Sequence, residues 1–245
     1  MSIHSLFDTV YAPERQGKSL SLSVQHLLDE KIEMAKAQQK VSSNNRAISK
    51  LRRREQLIKS TIRCIANRGI AGTTMADVTQ DAGLSLGIVN LHFQSKDKLF
   101  EETLQYLSDE YEAYWDAALE KSGDSAAEKM AAVVESDFSA RVCERKKIAV
   151  WFAFWGEVKS RPTYLQICAK NDKRNNDVVA DIARQLKKEA NYKDLQPRAF
   201  AVGLAALVNG LWLDLLMTPK EITRKQARDI CFSYLASSFP EHFKK

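Results

Sequence analysis

Between Thr73 and Phe100 the chain reads TTMADVTQDAGLSLGIVNLHFQSKDKLF, a stretch that fits two short helices around one tight turn. Thr73 or Thr74 is placed to cap the first helix, in which Met75, Ala76, Val78 and Thr79 precede Ala82. Gly83 then ends it, because glycine takes the left-handed conformation at a helix terminus at least steric cost. Leu84 follows as a turn residue expected to be buried. Ser85 caps a second helix running to Phe93, with Val89 and Phe93 four residues apart on its inner face. Ser85, Leu86, Asn90 and Gln94 are left facing outward. So short a helix does not hold together alone in water, and its neighbours must prop it. That is the layout of a helix-turn-helix, whose second helix enters the major groove of DNA.

The charge ahead of this segment has the sign that phosphate requires. The formal net charge is +6, and the run from Arg46 to Arg68 carries Arg46, Lys50, Arg52, Arg53, Arg54, Lys59, Arg63 and Arg68 against the single acid Glu55. A basic run is commonly just a solvated helix face. Beside a helix-turn-helix it reads instead as neutralisation of the DNA backbone. Arg52, Arg53 and Arg54 are placed to reach flanking phosphates or an adjacent minor groove, and the helix N-termini at Thr74 and Ser85, with Lys96, offer further backbone contacts. Asn90 is the candidate for reading a base, since an amide can bond adenine bidentately. Gly87 either lets the helix approach the duplex closely or serves helix packing.

After residue 46 the periodicity is helical throughout, which makes an all-α protein the expectation. The predicted helices are 47–68, the two short ones, 96–121, 125–140, 145–159, 164–190, 198–217 and 223–238, with Pro162, Pro197, Pro219 and Pro240 punctuating their ends. Leu51, Ile58, Ile62 and Ile65 mark the inner face of the first. Residues 1–45 read as an appended arm: an amphipathic helix from Leu20 to Ala37 and a polar linker from Gln38 to Asn45. Residues 46–95 then form the helix-turn-helix domain and 96–245 a second helical domain. Ala199–Met217 approaches membrane-spanning length, yet holds Asn209 and Asp214, which points to a helix buried in a bundle or subunit interface. Cys64, Cys143, Cys168 and Cys231 are scattered in apolar helical patterns and read as reduced core residues. With no apolar stretch at the N-terminus suited to a signal peptide, the cytoplasm is the expected location.

Trp151, Phe154 and Trp155 share one helix face. Such a stripe is either core or the wall of a pocket in which Trp151, Trp155 and Trp212 surround a cation, with Asn209 or Asp214 supplying polarity. A quaternary ammonium ligand would suit it. Gly203, Ala206 and Gly210 on one helix, and Phe232, Leu235 and Phe239 on the last, suggest the interface of a homodimer. The four histidines, His4, His26, His92 and His242, have no metal-ligand spacing, and neither a Gly-rich phosphate loop nor a G-x-S-x-G elbow is present, so no enzyme, cofactor or metal site is expected. A helical adaptor binding protein instead of DNA is the alternative.

The first helix together with TTMADVTQDAGLSLGIVNLHFQSKDKLFEETL resembles the N-terminal domain of TetR-type transcriptional repressors, over roughly Arg53 to Leu104. The stretches KKIAVWFAFWGEVKSRPTYLQI and AVGLAALVNGLWLDLL look like the subgroup containing the choline-responsive repressor of betaine synthesis. The resemblance implies three DNA-binding helices, a small-molecule pocket in the remaining ones, and a dimer that reads a near-palindromic operator. It implies release by a ligand through the helix starting at Lys96, which touches both domains. The chain departs from the family at Leu86, where a polar residue is usual and where leucine could pack on a thymine methyl. It departs again at His92, to which the phosphate contact of a usual tyrosine would fall. Activation in place of repression stays open at this point.

Overall fold

The computed structural model describes residues 22–244, and among residues 22–46 the side chains of Glu33, Met34, Lys36 and Asn45 alone. The described residues form helices and no strand: α1 Leu22–Arg68, α2 Met75–Ala82, α3 Leu86–His92, α4 Lys96–Lys121, α5 Ala126–Asp137, α6 Arg145–Glu157, α7 Pro162–Glu189, α8 Pro197–Met217 and α9 Arg224–Ser238. The described residues up to Arg52 and those from Arg53 onward fall into two units.

In the first unit the linker expected at Gln38–Asn45 is helical, because α1 begins at Leu22 and runs through it without a break. The sequence holds no glycine or proline between Gly17 and Gly69, and Ala35 to Gln39 are good helix formers, so polarity alone does not end the helix. Of the apolar face expected for the arm, Met34 is 64% exposed. Leu20, Val24, Leu27, Leu28, Ile32 and Ala35 lie outside the described side chains. Leu51, expected on the inner face, is 66% exposed.

The second unit is built from well-terminated helices. Gly69 closes α1 at φ 70°, its N–H donating to Ile65 O at 2.8 Å. Three helices start with reciprocal capping boxes, Thr74 with Asp77 on α2, Ser125 with Glu128 on α5 and Thr223 with Gln226 on α9. Ser95 caps α4 by accepting from Lys98 N at 3.1 Å. Pro162 and Pro197 occupy the first helical positions of α7 and α8, where their missing N–H is not needed.

One apolar cluster joins these helices. Leu57, Ile58 and Ile65 of α1 share it with Val78, Val89, Phe93, Leu99 and Phe100, and it continues through Leu104 and Leu107 of α4 into the remaining helices. α8 packs chiefly on α7, and α4 touches α5, α6 and α7. α8 is long and apolar enough to cross a membrane by length and composition. It buries Phe200, Ala201, Leu204, Val208, Leu211 and Trp212 within the chain and leaves Val202, Leu213 and Met217 exposed.

The small and aromatic residues expected to meet a second copy are partly spent inside this one. Leu235 and Phe239 are fully buried, and Phe239 meets Phe200 edge to face at 4.8 Å. A Cβ on Gly203 would stand 2.9 Å from Tyr234 Oη, so its small size serves the packing of α8 on α9. The four cysteines are buried and free. Burial pushes Cys143 and Cys168 up to about 11 and Cys231 up to about 12, which leaves them inert thiols.

Candidate functional site

α2 and α3 make the turn expected of them. Thr74 caps α2 in extended conformation, and Gly83 ends it at φ 64°, the left-handed value that favours glycine. Leu84 N donates to Thr79 O at 3.0 Å, closing the turn. α3 is held from below by Val89 and Phe93, both buried, and Phe93 N donates to Val89 O at 2.7 Å. The outer face of α3 shows Leu86 (49% exposed), Gly87, Asn90 and Leu91 (72% exposed). Leu91 is not among the residues expected to face outward, although its four-residue spacing from Gly87 places it there. A Cβ on Gly87 would meet only Ser85 Oγ at 3.9 Å, so intramolecular packing does not demand glycine at that position. Ser85 is exposed and its side chain makes no capping bond. His92 is half-buried at the end of the helix.

The cations of the basic run divide into two sets. Arg63 pairs with Asp81, Nε at 2.9 Å and Nη2 at 2.5 Å from the same oxygen. Arg68 pairs with Asp77, and Arg54 with Glu102 while standing 5.3 Å over the Phe93 ring. These acids come from α2 and α4, so the fold neutralises three of the cations counted along the sequence. Arg52, at the end of the first unit, and Arg53 are exposed and carry no ion pair among the described residues. Lys96 Nζ lies 5.1 Å over the Phe100 ring. Thr74 does not offer the free amide expected of a helix start, because its N–H donates to Asp77 Oδ2 at 2.9 Å. The Thr74 hydroxyl and amide, with Arg68, hold the Asp77 carboxyl below its ordinary range.

The second site is a cavity lined by side chains of α4, α5, α6, α7 and α8. Four of the six residues expected there line it: Trp151, Trp155, Asn209 and Trp212. Phe154 does not. It is fully buried one position round the helix and meets Tyr164 edge to face at 5.0 Å. Asp214 does not either, being exposed. It follows Trp212 by two residues, about 200° round the helix, so the two cannot share a wall.

The acid in the cavity is Asp137, at the end of α5, with Tyr111 and Trp115 of α4 beside it. Tyr111 Oη donates to Asp137 Oδ1 at 2.6 Å and Trp115 Nε1 to the same oxygen at 2.8 Å, while Trp212 Nε1 donates to the Asp137 carbonyl at 3.2 Å. The rings form one group around Tyr111, whose centroid lies 5.9 Å from Trp115, 6.3 Å from Trp151 and 5.9 Å from Trp212. Trp155 adds to it, 6.2 Å from Trp151. Burial pushes the Asp137 carboxyl up to about 7, against the two hydrogen bonds that favour its charge. Asp172 also lines the cavity. It is exposed on its outer side, yet desolvation raises its carboxyl as well.

α4 connects the two sites, carrying Lys96 at one end and Tyr111 and Trp115 in the cavity. A second tie runs from Arg161, the N-cap of α7, whose Nη1 donates to Asp97 Oδ1 in the first turn of α4 at 2.8 Å.

Two family models match within the second unit. Residues 57–103 match the model for "Bacterial regulatory proteins, tetR family" and residues 126–240 that for "BetI-type transcriptional repressor, C-terminal". Among curated relatives, the HTH-type transcriptional regulator BetI of Paraburkholderia phytofirmans is 32% identical over 187 residues, covering 75% of this chain and 91% of its own length. BetI 2 of Chromohalobacter salexigens is 32% identical over 184 residues, with 75% and 86% covered. Among solved structures, a transcriptional regulator from Pseudomonas aeruginosa superposes with a TM-score of 0.69 at 26% identity, covering 79% of this chain and 94% of its own. A regulator from Saccharomonospora viridis, solved in complex with choline, gives a TM-score of 0.68 at 22% identity, covering 74% and 94%.

Proposed function

The chain belongs to the tetR family of bacterial regulatory proteins, with a C-terminal half of the BetI type, and from that premise we propose that it is a cytoplasmic repressor released from its operator by a small quaternary ammonium compound. The family is one of transcriptional regulators, not enzymes. Residues 46–95 are the reader and residues 96–245 the sensor. Two copies, meeting through exposed apolar positions such as Val202, Leu213 and Met217 on α8 and Ile230 on α9, would set two α3 helices about 34–36 Å apart, one DNA turn.

The observation that carries the ligand half is the cavity wall: five aromatic rings, two carboxylates and no lysine, arginine or histidine. Aromatic faces attract an ammonium through their quadrupoles, and a desolvated carboxylate supplies the counter-charge. Choline, the ligand of the Saccharomonospora regulator, has this chemistry. A bound cation lowers operator affinity only by its preference for the non-binding arrangement of the dimer. α4 is the element through which that preference reaches the reader.

In the reader, Asn90 contacts a base, Leu86 packs on a thymine methyl, and Gly87 permits the close approach. Arg53, Lys96, Arg52, His92 and the turn at Ser85 contact the backbone, with Arg54 mainly holding α1 to α4 and the start of α2 at Thr74 closed to phosphate by Asp77. Asn90→Ala is expected to weaken cognate binding by about 1–3 kcal/mol with little change on random duplex, whereas Arg53→Ala weakens both alike and lowers the salt slope by about 1. Electrophoretic retention across a salt series, repeated with choline, checks both halves. Equal responses of the two variants would overturn the assignments, and retention untouched by choline or related amines would overturn the effector.

A further inference from the structure

Building on the reading of α3 as the recognition helix, we propose that Leu91 selects the operator by packing on the 5-methyl group of a thymine, so that each half-site holds an A·T pair at that position. Leu91 stands two residues from Val89 and two from Phe93, about 200° round the helix from each. Those two side chains are buried beneath α3, so Leu91 points directly away from them. At 72% exposure it is the most exposed of the large apolar residues described. α3 reads LGIVNLH and holds no lysine, arginine, aspartate or glutamate, the side chains that bond the edges of guanine or cytosine. What it turns outward is one amide, Asn90, flanked in sequence by Leu86 and Leu91.

A leucine pressed into the major groove takes water from the base edges and returns no hydrogen bond. Against a G·C pair that leaves polar edge atoms unpaired, which is costly. The thymine methyl is the one apolar group that a base presents there, and burying it against leucine is favourable instead. Leu86 and Leu91 are five residues apart, about 7.5 Å along the helix or roughly two base-pair steps, so the two reach different thymines. Cations that could otherwise read guanine beside this helix are held by acids: Arg63 by Asp81, Arg68 by Asp77 and Arg54 by Glu102.

Selection of bound duplexes from a randomised pool by the full chain, followed by resynthesis of the enriched duplex with uracil at one thymine at a time, tests this. Uracil keeps the pairing and the O4 acceptor of thymine and lacks only its methyl group. In the wild type, beside the thymine that depends on Leu86, one further thymine per half-site is expected to weaken binding about fourfold when replaced, as the burial of a methyl group gives. Leu91→Ala brings that ratio to about onefold at this thymine alone, whereas Leu91→Met, which keeps an apolar end, retains it. Titration in dilute salt holds even a weakened variant within measurable range, and melting midpoints stay unchanged because the side chain is exposed. A ratio that survives in Leu91→Ala overturns the proposal, as does a wild type indifferent to every thymine methyl or a variant that merely weakens all duplexes alike. A chain that enriches no duplex overturns the reading of α3 itself and this proposal with it, so the two failures are distinguishable.

Discussion

Exchanging Asp137 for Asn is expected to weaken choline binding at least about 30-fold, roughly 2 kcal/mol, while making the ligand-free protein more stable at pH 8. Both effects follow from one buried carboxyl. With Tyr111 and Trp115 donating to it, it stands within the aromatic group, and neutralising it leaves the cation the ring faces and Asp172 alone. Its value of about 7, against an ordinary 3.8, means that the folded chain holds the proton more tightly than the unfolded chain does. Stability therefore falls as pH rises from about 4 to about 7 and is level above that. An amide that keeps the acceptor oxygen escapes the fall, so the advantage of the variant grows over the same window.

Choline affinity runs the opposite way. Below pH 7 the wild type must give up a proton to bind, and Kd is expected to weaken towards tenfold per pH unit, while the variant stays nearly flat from pH 6 to 8.5. The neighbours that could blur this titrate elsewhere or in parallel. Burial and the charge of Asp137 hold Tyr111 well above 10, and Cys143 and Cys231 stand at about 11 and about 12. Asp172 is the exception, since its carboxyl is raised too, and Asp172→Asn separates its share. Titrations of tryptophan emission across pH, with thermal melts, check the set. A wild-type Kd that ignores pH would remove Asp137 from the site.

Phe93→Ala is expected to cost about 3–5 kcal/mol and to abolish operator binding while leaving the choline site working. Phe93 is 1% exposed, ends α3, and lies under the Arg54 guanidinium. A seven-residue helix has no stability of its own, so its DNA-facing side depends on what packs beneath it. The cavity is built from α4 to α8, which keep their own core at Met130, Ile148, Phe154 and Leu204. The melting midpoint should drop by about 10 °C for a unit of this size. Unaltered melting and unaltered operator retention would show that the helix is not propped in this way.

How much was legible in the sequence depended on whether the signal was local. Gly83, Ser95, Ser125 and Thr223 mark helix ends by their own backbone and hydroxyl chemistry, and the helices from α2 onward fall within a few residues of their expected limits. Gln38 to Asn45 misled because a polar stretch was read as a linker, although no glycine or proline interrupts the helix there. Trp151 with Trp155, and Asn209 with Trp212, line the cavity in pairs set by four- and three-residue spacing on two helices, whereas the same kind of spacing wrongly drew in Phe154. Asp137 gave no such sign. It enters the cavity through the packing of α5 against α4, and a charge count along Arg46–Arg68 likewise missed Asp77, Asp81 and Glu102, which arrive from other helices.

The geometry of α4 sets how small a movement suffices for control. From Tyr111 to Lys96 is fifteen residues of unbroken helix, about 22 Å of stiff rod. Pivoting that rod about 5° at the aromatic end sweeps its opposite tip about 2 Å, and a symmetry-related copy doubles the change in span between two grooves. On the proposed mechanism, a small adjustment around a bound cation would thereby be magnified into a mismatch with the pitch of the double helix.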